Sequence, residues 1–242
     1  MMSRYTLLAA AFLGASSSMA QLEWGVKAGL NVSVYTIAED PEPDEAMDPD
    51  VGPGWSAGGQ LTFRASEGIT LVSELLCSAR STQAAESISL VAPGSADGLR
   101  IDSERRKDLA YMEWPLLIAF TPTPAFGIEA GPALGYLLSA RSRSETTTTT
   151  TVGGQTNRTT ERLDTRTTDG LRPLEVAAVL GMRYVLDGGL NFGLRYWRGL
   201  NTLNEVTEQV DGSTMRTNAN VIQLSVGFLL SSNQRHPSAH AE

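Results

Sequence analysis

Apolar and polar residues alternate with a period of two over long stretches of the chain. From residue 22 to residue 35 every even-numbered residue is apolar, whereas most odd-numbered residues are polar or glycine. The same alternation returns at 126–138, 174–186, 190–197 and 221–230. Successive side chains of a β-strand point to opposite faces, so this pattern predicts strands with one apolar face. A helix of the same sequence would mix polar and apolar residues on every face.

Three less regular stretches, at 54–65, 69–81 and 108–121, raise the number of predicted strands to eight. The predicted strands are about 12–16 residues long, whereas strands of globular sheets usually have roughly five or six residues. Strands of this length are typical of sheets that cross a membrane.

Short and long connections alternate along the chain. The links at 66–68, 121–124 and 187–189 are tight turns that contain Gly or Pro. The long polar links lie at about 36–53, 82–107, 142–170 and 201–216. This alternation is typical of outer-membrane barrels, which have short periplasmic turns and long extracellular loops. We therefore predict an all-β fold, an eight-stranded antiparallel up-and-down transmembrane β-barrel over residues 21–230.

The composition of the polar face favours a membrane barrel over a soluble one. That face is rich in Gly, Ala and Ser, which fit the narrow interior of an eight-stranded barrel. We also expect two aromatic girdles at the strand ends. Their predicted members are Trp24, Phe63, Phe120, Phe126, Phe192 and Phe228 near the short turns, and Tyr35, Trp55 and Tyr136 near the long loops. A soluble periplasmic lipocalin-like binder, which also has alternating strands, is an alternative.

The N-terminal segment has the three parts of a secretory signal peptide. Arg4 provides the positive start, an apolar stretch follows, and Ser18 and Ala20 are small residues at the −3 and −1 positions of a cleavage site. We predict a signal peptide at 1–20, cleavage after Ala20 and a location in the bacterial outer membrane. Residues 231–242 are predicted to form a polar C-terminal tail.

The composition narrows the classes of partner and cofactor. The 242 residues include 19 Lys or Arg and 27 Asp or Glu, so the formal net charge is −8. An acidic chain without basic clusters binds nucleic acid poorly, and we predict no nucleic-acid partner. Cys77 is the single cysteine, which excludes an internal disulfide and a cysteine-rich zinc site. We predict no cofactor.

Five segments are similar, in their order and spacing, to a known family. They read GVKAGLN at 25–31, SELL at 73–76, YMEWPLL at 111–117, EAGPALGY at 129–136 and GLRYWRGL at 193–200. The chain resembles the outer-membrane β-barrel family often called PorT-like. This resemblance implies a small eight-stranded barrel in the outer membrane and no inherited enzymatic activity. Such a barrel would contact outer-membrane lipid and the barrel-assembly machinery, and its long loops would contact an envelope protein or a surface ligand.

The predicted inward face carries charges of both signs. The candidate residues are Glu23, Lys27, Arg64, Glu74, Glu113, Glu129, Glu175, Arg183 and Arg195. An isolated charge in a narrow lumen is costly, so each must be paired or hydrogen-bonded. We predict a network of ion pairs that plugs the barrel, and hence a structural or interaction role. The alternative is a narrow channel or transporter for small solutes.

The sequence predicts no enzymatic site. Its two histidines, His236 and His240, lie near the C-terminus, so the strands offer no histidine base for a serine nucleophile. The acidic segment 39–50 contains carboxylates that could bind Ca²⁺ weakly, but its prolines favour a solvated loop. The threonine-rich segment within 142–170 is predicted either to extend a hairpin beyond the membrane or to form a low-complexity loop.

Overall fold

The computed structural model describes four stretches of the chain. These stretches are residues 22–40, 50–91, 97–204 and 214–230. The predicted signal peptide and the predicted polar tail lie outside them, as does most of the acidic segment 39–50. No helix in the described stretches has the length and the hydropathy needed to cross a membrane.

Nine β-strands make up most of the described chain. They are β1 (Leu22–Asp40), β2 (Asp50–Arg64), β3 (Ile69–Val91), β4 (Gly98–Phe120), β5 (Phe126–Val152), β6 (Gln155–Arg166), β7 (Leu174–Val185), β8 (Leu190–Gly199) and β9 (Thr214–Leu229). All of their pairings are antiparallel.

Eight of these strands form a closed ring. Strands β1 to β5 pair in sequence, β5 then pairs with β7, and β7, β8 and β9 follow. The ring closes where β9 pairs with β1, from Gly25↔Leu229 to Asp40↔Thr214. The prediction of an eight-stranded antiparallel barrel is therefore confirmed. Strand β6 is additional and pairs with β5 outside the ring.

Side chains of the ring alternate between the interior and the exterior of the barrel. In β8, Asn191, Gly193, Arg195 and Trp197 are buried, whereas Phe192, Leu194 and Tyr196 between them are exposed. The exterior is an apolar band in which Leu30 is 71% exposed and Leu224 is 60% exposed. Soluble proteins rarely expose a contiguous apolar surface of this extent. The alternative of a soluble lipocalin-like binder is therefore wrong.

Exposed aromatic side chains lie near both ends of the barrel. Near the short turns they are Trp24, Phe120, Phe192 and Phe228, with Phe63 and Phe126 half-buried, and near the opposite end they are Trp55 and Tyr136. Tyr35 is an exception, because it is only 4% exposed and lies inside the barrel. Its predicted position in an outward girdle is wrong, since the odd-numbered residues of β1 face the lumen.

Strands β3, β4 and β5 continue beyond the barrel and form a four-stranded sheet with β6. We call this sheet the outer sheet, and it comprises residues 82–91, 98–109, 140–152 and 155–166. The prediction of a long loop at 82–107 is thus wrong for most of its length, and within 142–170 the structure has the predicted hairpin extension and not the loop. Strands that face solvent on both sides lack the period-two apolar pattern that marks a half-buried strand.

The β5–β6 hairpin is formed by a tight turn of two glycines and by threonine pairs across its strands. Gly153 and Gly154 have φ angles of 58° and 77°, as a two-residue type I′ turn requires. Threonines face each other across the hairpin, and the hydroxyl oxygens of Thr147 and Thr160 lie 3.2 Å apart. Such cross-strand threonine pairs stabilise a hairpin, so the threonine-rich segment extends the sheet.

Two neighbouring glycines of β2 should respond differently to an added methyl group. A Cβ atom at Gly58 would lie 2.0 Å from the carbonyl oxygen of Leu75, whereas the nearest atom to a Cβ at Gly59 would be 3.9 Å away. Backbone atoms cannot move aside cheaply, so Gly58→Ala should lower the free energy of unfolding by about 1–3 kcal/mol. Gly59→Ala is the matched control and should change it by less than about 0.5 kcal/mol. Urea unfolding of the purified barrel in micelles measures both, and equal losses would contradict the prediction.

Candidate functional site

The barrel interior contains a first group of ion pairs, which we call the Arg195 cluster: Lys27, Glu74, Glu129 and Arg195. Arg195 donates two hydrogen bonds to Glu74, at 2.5 and 2.8 Å, and one from Nε to Glu129, at 2.5 Å. Lys27 donates to Glu74 at 3.0 Å. All four residues are buried, so two cations and two carboxylates neutralise each other away from solvent.

Small neighbouring residues make room for the Arg195 cluster. Its members come from β1, β3, β5 and β8, and in each strand they lie on the inward face. Gly181 is the cross-strand partner of Arg195, and a Cβ at Gly181 would lie 2.7 Å from Arg195 Cγ. A glycine on the inward face therefore makes room for a large charged side chain opposite it, because the interior of such a barrel is just wide enough for side chains.

A second group, the Arg80 cluster, lies towards the outer sheet and comprises Arg80, Glu113, Glu175 and Tyr111. Arg80 donates from one terminal nitrogen to both carboxylate oxygens of Glu175, at 3.0 and 2.9 Å. Its other terminal nitrogen donates to Glu113 at 2.7 Å. The guanidinium carbon lies 4.8 Å from the ring centroid of Tyr111, so a cation–π contact completes the cluster.

Arg80 is absent from the predicted set of lumen residues. It is 2% exposed and is the one cation that Glu113 and Glu175 contact within the described residues. The sequence does contain a signal that Arg80 faces inward. Arg80 is an even-numbered residue of β3, as Glu74 is, so both lie on the same face of the strand. Arg80 lies inside the predicted strand 69–81 but next to the expected loop, and it is missing from the set although its parity places it inward.

Uncharged polar side chains lie in the lumen between the two clusters. The Gln223 amide donates to Ser56 at 2.9 Å and to Asn31 at 3.3 Å, and Asn31 donates to Ser78 at 3.1 Å. Trp197 is also buried among small apolar residues of the interior. The hydrogen bonds of Gln223 and Asn31 link β9, β2, β1 and β3 inside the barrel.

Three of the predicted lumen residues lie outside both clusters. Arg64 and Glu23 are at the short-turn end, where their charged groups are 3.9 Å apart and partly exposed. Arg183 forms no ion pair within the described part of the chain, and its buried Nε has no hydrogen-bond partner there. The other six predicted residues, Lys27, Glu74, Glu113, Glu129, Glu175 and Arg195, belong to the two clusters.

A small cavity lies between the Arg195 cluster and Arg183. Its volume is about 10 Å³, and Gln60 and Asn191 also line it. This volume is no larger than the space that a single water molecule occupies. The cavity leaves no room for a solute beside the charged side chains.

One face of the outer sheet carries a second set of ion pairs, and these are exposed. The pairs are Arg100–Asp102, Arg106–Asp108, Arg141–Asp164 and Arg162–Glu145. Hydrogen bonds from Arg141 lower the pKa of Asp164, and hydrogen bonds from Arg162 lower the pKa of Glu145. Both carboxylates therefore stay ionised at neutral pH. Exposed pairs contribute little to stability because solvent screens them.

The described residues contain no group of three or more His, Cys, Asp or Glu side chains that could hold a metal ion. The possible Ca²⁺ site in the acidic segment 39–50 falls mostly outside these residues. Cys77 lies on the outward apolar face of β3.

A family model described as "Outer membrane protein beta-barrel domain" matches residues 15–205. No curated protein matches the chain. Solved structures similar to it include Ail of Yersinia pestis in complex with the heparin analogue sucrose octasulfate, at 10% identity and a TM-score of 0.39. That match covers 86% of this chain and 99% of Ail. CarO of Acinetobacter baumannii matches at 10% identity and a TM-score of 0.36, covering 83% of this chain and 96% of CarO.

Neisserial surface protein A is a further similar structure, at 10% identity and a TM-score of 0.28. The match covers 84% of this chain and 96% of that protein.

Proposed function

Because the chain belongs to the family of outer membrane protein β-barrel domains, we propose that it is an integral barrel with a plugged lumen and a structural or interaction role. The main support is the packing of the interior. Arg80, Arg195 and Tyr111 are at most 2% exposed, and the cavity beside the Arg195 cluster holds about 10 Å³. Side chains occupy the path that a solute would take.

The electrostatics of the lumen also favour a plug over a channel. For an ion to pass, Arg195 would have to release Glu74 and Glu129, and Arg80 would have to release Glu113. Each release leaves a charge unpaired in a region that excludes water, which costs several kcal/mol per ion. An eight-stranded barrel offers no second route, because its interior is just wide enough for side chains.

Planar-bilayer recording of the refolded barrel tests this proposal. We expect a flat current without discrete conductance steps, and a larger porin inserted in the same way serves as the positive control. Discrete steps that disappear in Glu113→Gln or Arg183→Gln would overturn the plugged lumen. That result would establish the competing function, a narrow channel for small solutes.

The outer sheet supports an interaction role for the part of the chain beyond the membrane. It is held by continuous strand pairing as far as the Gly153–Gly154 turn, so it offers a pre-ordered surface. The proposed role is non-enzymatic, since the sequence contains no histidine before His236. Cross-linking in cells followed by purification would identify an envelope partner, and recovery of the barrel alone would count against this role.

Within the family, we propose a PorT-like barrel, on the similarity of segments such as 25–31 and 193–200. A PorT-like role predicts that secretion components and the barrel-assembly machinery co-purify with the cross-linked protein. We also propose export by the signal peptide at 1–20 with cleavage after Ala20. The intact mass of the purified protein tests this step, since a mature chain would begin at Gln21.

A further inference from the structure

Four arginines lie together on the outer sheet where it leaves the barrel. We call Arg106, Arg141, Arg143 and Arg166 the arginine patch. Leu109 and Ala140 are buried and face inward, so Asp108 and Arg141, their neighbours along the strands, face outward. The cross-strand pairing places the other patch residues on the same outward face. The patch therefore faces away from the lumen.

The patch contains two pairs of like charges in direct opposition. Arg106 is the cross-strand partner of Arg143, and Arg141 is the cross-strand partner of Arg166. Like charges directly opposite each other destabilise an antiparallel pair. One carboxylate borders each pair, since Asp108 is the other cross-strand partner of Arg141 and Asp164 that of Arg143, but the arginines of a pair still face each other. An anion bound between the arginines would remove the repulsion.

The carboxylates of the patch do not neutralise it. Asp108 accepts a hydrogen bond from Arg106 at 3.0 Å, and Asp164 accepts from Arg141. Arg143 and Arg166 are exposed and form no ion pair with any residue that the structure describes. Four arginines against two aspartates leave a surplus of two positive charges on this face.

The position of the patch relates it to the membrane surface. On β5 the exposed apolar residues Tyr136 and Leu138 belong to the outward band, and Arg141 follows three residues later. Three residues of a strand span about 10 Å. The patch therefore begins directly above the apolar band, at the level of the lipid headgroups, and faces outward as the band does.

We propose that the arginine patch binds phosphate groups of anionic lipid in the outer leaflet. Arginine presents a planar fork of donors that matches the oxygens of a phosphate, and no described carboxylate forms an ion pair with Arg143 or Arg166. Continuity with the outward apolar band favours a lipid over a soluble polyanion, because the acyl chains of the same molecule would contact that band. The inference rests on the proposed membrane barrel with its long segments outward, and it is independent of whether the lumen conducts.

Arg158 provides a matched control on the same face. It is an exposed arginine of β6 without an ion pair among the described residues, and its cross-strand partner is Thr149. It lies eight residues from Arg166 along the strand, which is about 26 Å. A lipid phosphate bound at the arginine patch is beyond the reach of Arg158.

The test titrates the full-length barrel in detergent micelles with bisphosphorylated lipid A and follows bound lipid by native mass spectrometry. The double variant Arg143→Gln/Arg166→Gln should bind about tenfold more weakly than the wild type, as expected for losing charge-assisted hydrogen bonds. Arg158→Gln should bind as the wild type does. Dephosphorylated lipid A should bind the wild type about as weakly as lipid A binds the double variant.

Three outcomes would overturn the proposal. They are equal lipid A binding by the wild type and the double variant, an equal loss in Arg158→Gln, or patch-dependent binding of soluble heparin that is tighter than the binding of lipid A. Heat-modifiable gel mobility shows whether the double variant is folded. If it is not, Arg143→Lys/Arg166→Lys keeps the charge but loses the planar fork, and we expect a smaller but measurable loss of binding. Conductance in the bilayer assay would refute the plugged lumen without affecting this result.

Discussion

Replacing Arg195 by alanine should lower the free energy of unfolding by about 3–5 kcal/mol. Arg195 supplies two of the three hydrogen bonds that Glu74 accepts within its cluster and the one that Glu129 accepts there. Without Arg195, two buried carboxylates would have Lys27 as the one remaining cation of the cluster. Breaking a buried pair by removing one partner is costly because the remaining charge is neither hydrated nor paired.

Urea unfolding of the barrel in lipid vesicles measures this loss, with heat-modifiable mobility as the readout of the folded state. Arg162→Ala is the control, since Arg162 also makes two hydrogen bonds to one glutamate, Glu145, but on the exposed outer sheet. We expect no measurable loss there, because solvent screens the pair. Arg195→Lys should give an intermediate loss, since it keeps the charge without the planar fork. Equal stability of Arg195→Ala and Arg162→Ala would refute the prediction.

Removing Arg80 should have a comparable effect at the other end of the lumen. Arg80→Met leaves Glu113 and Glu175 buried without the cation that both contact, and we expect a loss of about 3–5 kcal/mol. Arg64→Met is the control, because Arg64 also lies on the inward face but its side chain is 49% exposed. We expect that control to lose no more than about 1 kcal/mol.

A compensated variant separates the cost of unpaired charge from the cost of lost packing. In Arg80→Met/Glu113→Gln/Glu175→Gln, no charge of the cluster remains to be desolvated, so most of the lost stability should return. The same unfolding assay compares the triple variant with Arg80→Met. A triple variant that is less stable than Arg80→Met would show that packing around Arg80, and not its charge, holds this end of the barrel together.

The strands of the ring could be predicted because their pattern is local. A strand with lipid on one side and a polar interior on the other must alternate apolar and polar residues. Leu224 and Gln223 are neighbours that show this alternation in the sequence itself. The outer sheet could not be found in this way. Ile88 and Leu163 are exposed there, as are most of the residues beside them, so neither face of the sheet imposes a pattern.

The membership of the lumen clusters was only partly predictable. Parity within a strand placed Glu74 and Arg195 on the inward face, and it places Tyr35 and Arg80 there too, since both lie inside predicted strands. Strand ends are the least reliable part of such a prediction because the alternation weakens where the environment changes. Arg80 and Tyr35 both lie near such an end.

The sequence by itself determined the ring of eight strands, their inward and outward faces and the glycine-rich lumen, because each follows from the solvent on either side of a strand. Only the tertiary structure decided which charges meet. Arg195 and Glu74 are 121 residues apart, and Arg80 and Glu175 are 95 residues apart. Their contacts depend on strand register and on closure of the ring, which bring together side chains that no local pattern relates. The same holds for the opposed arginines of the outer sheet, which are neighbours only through strand pairing.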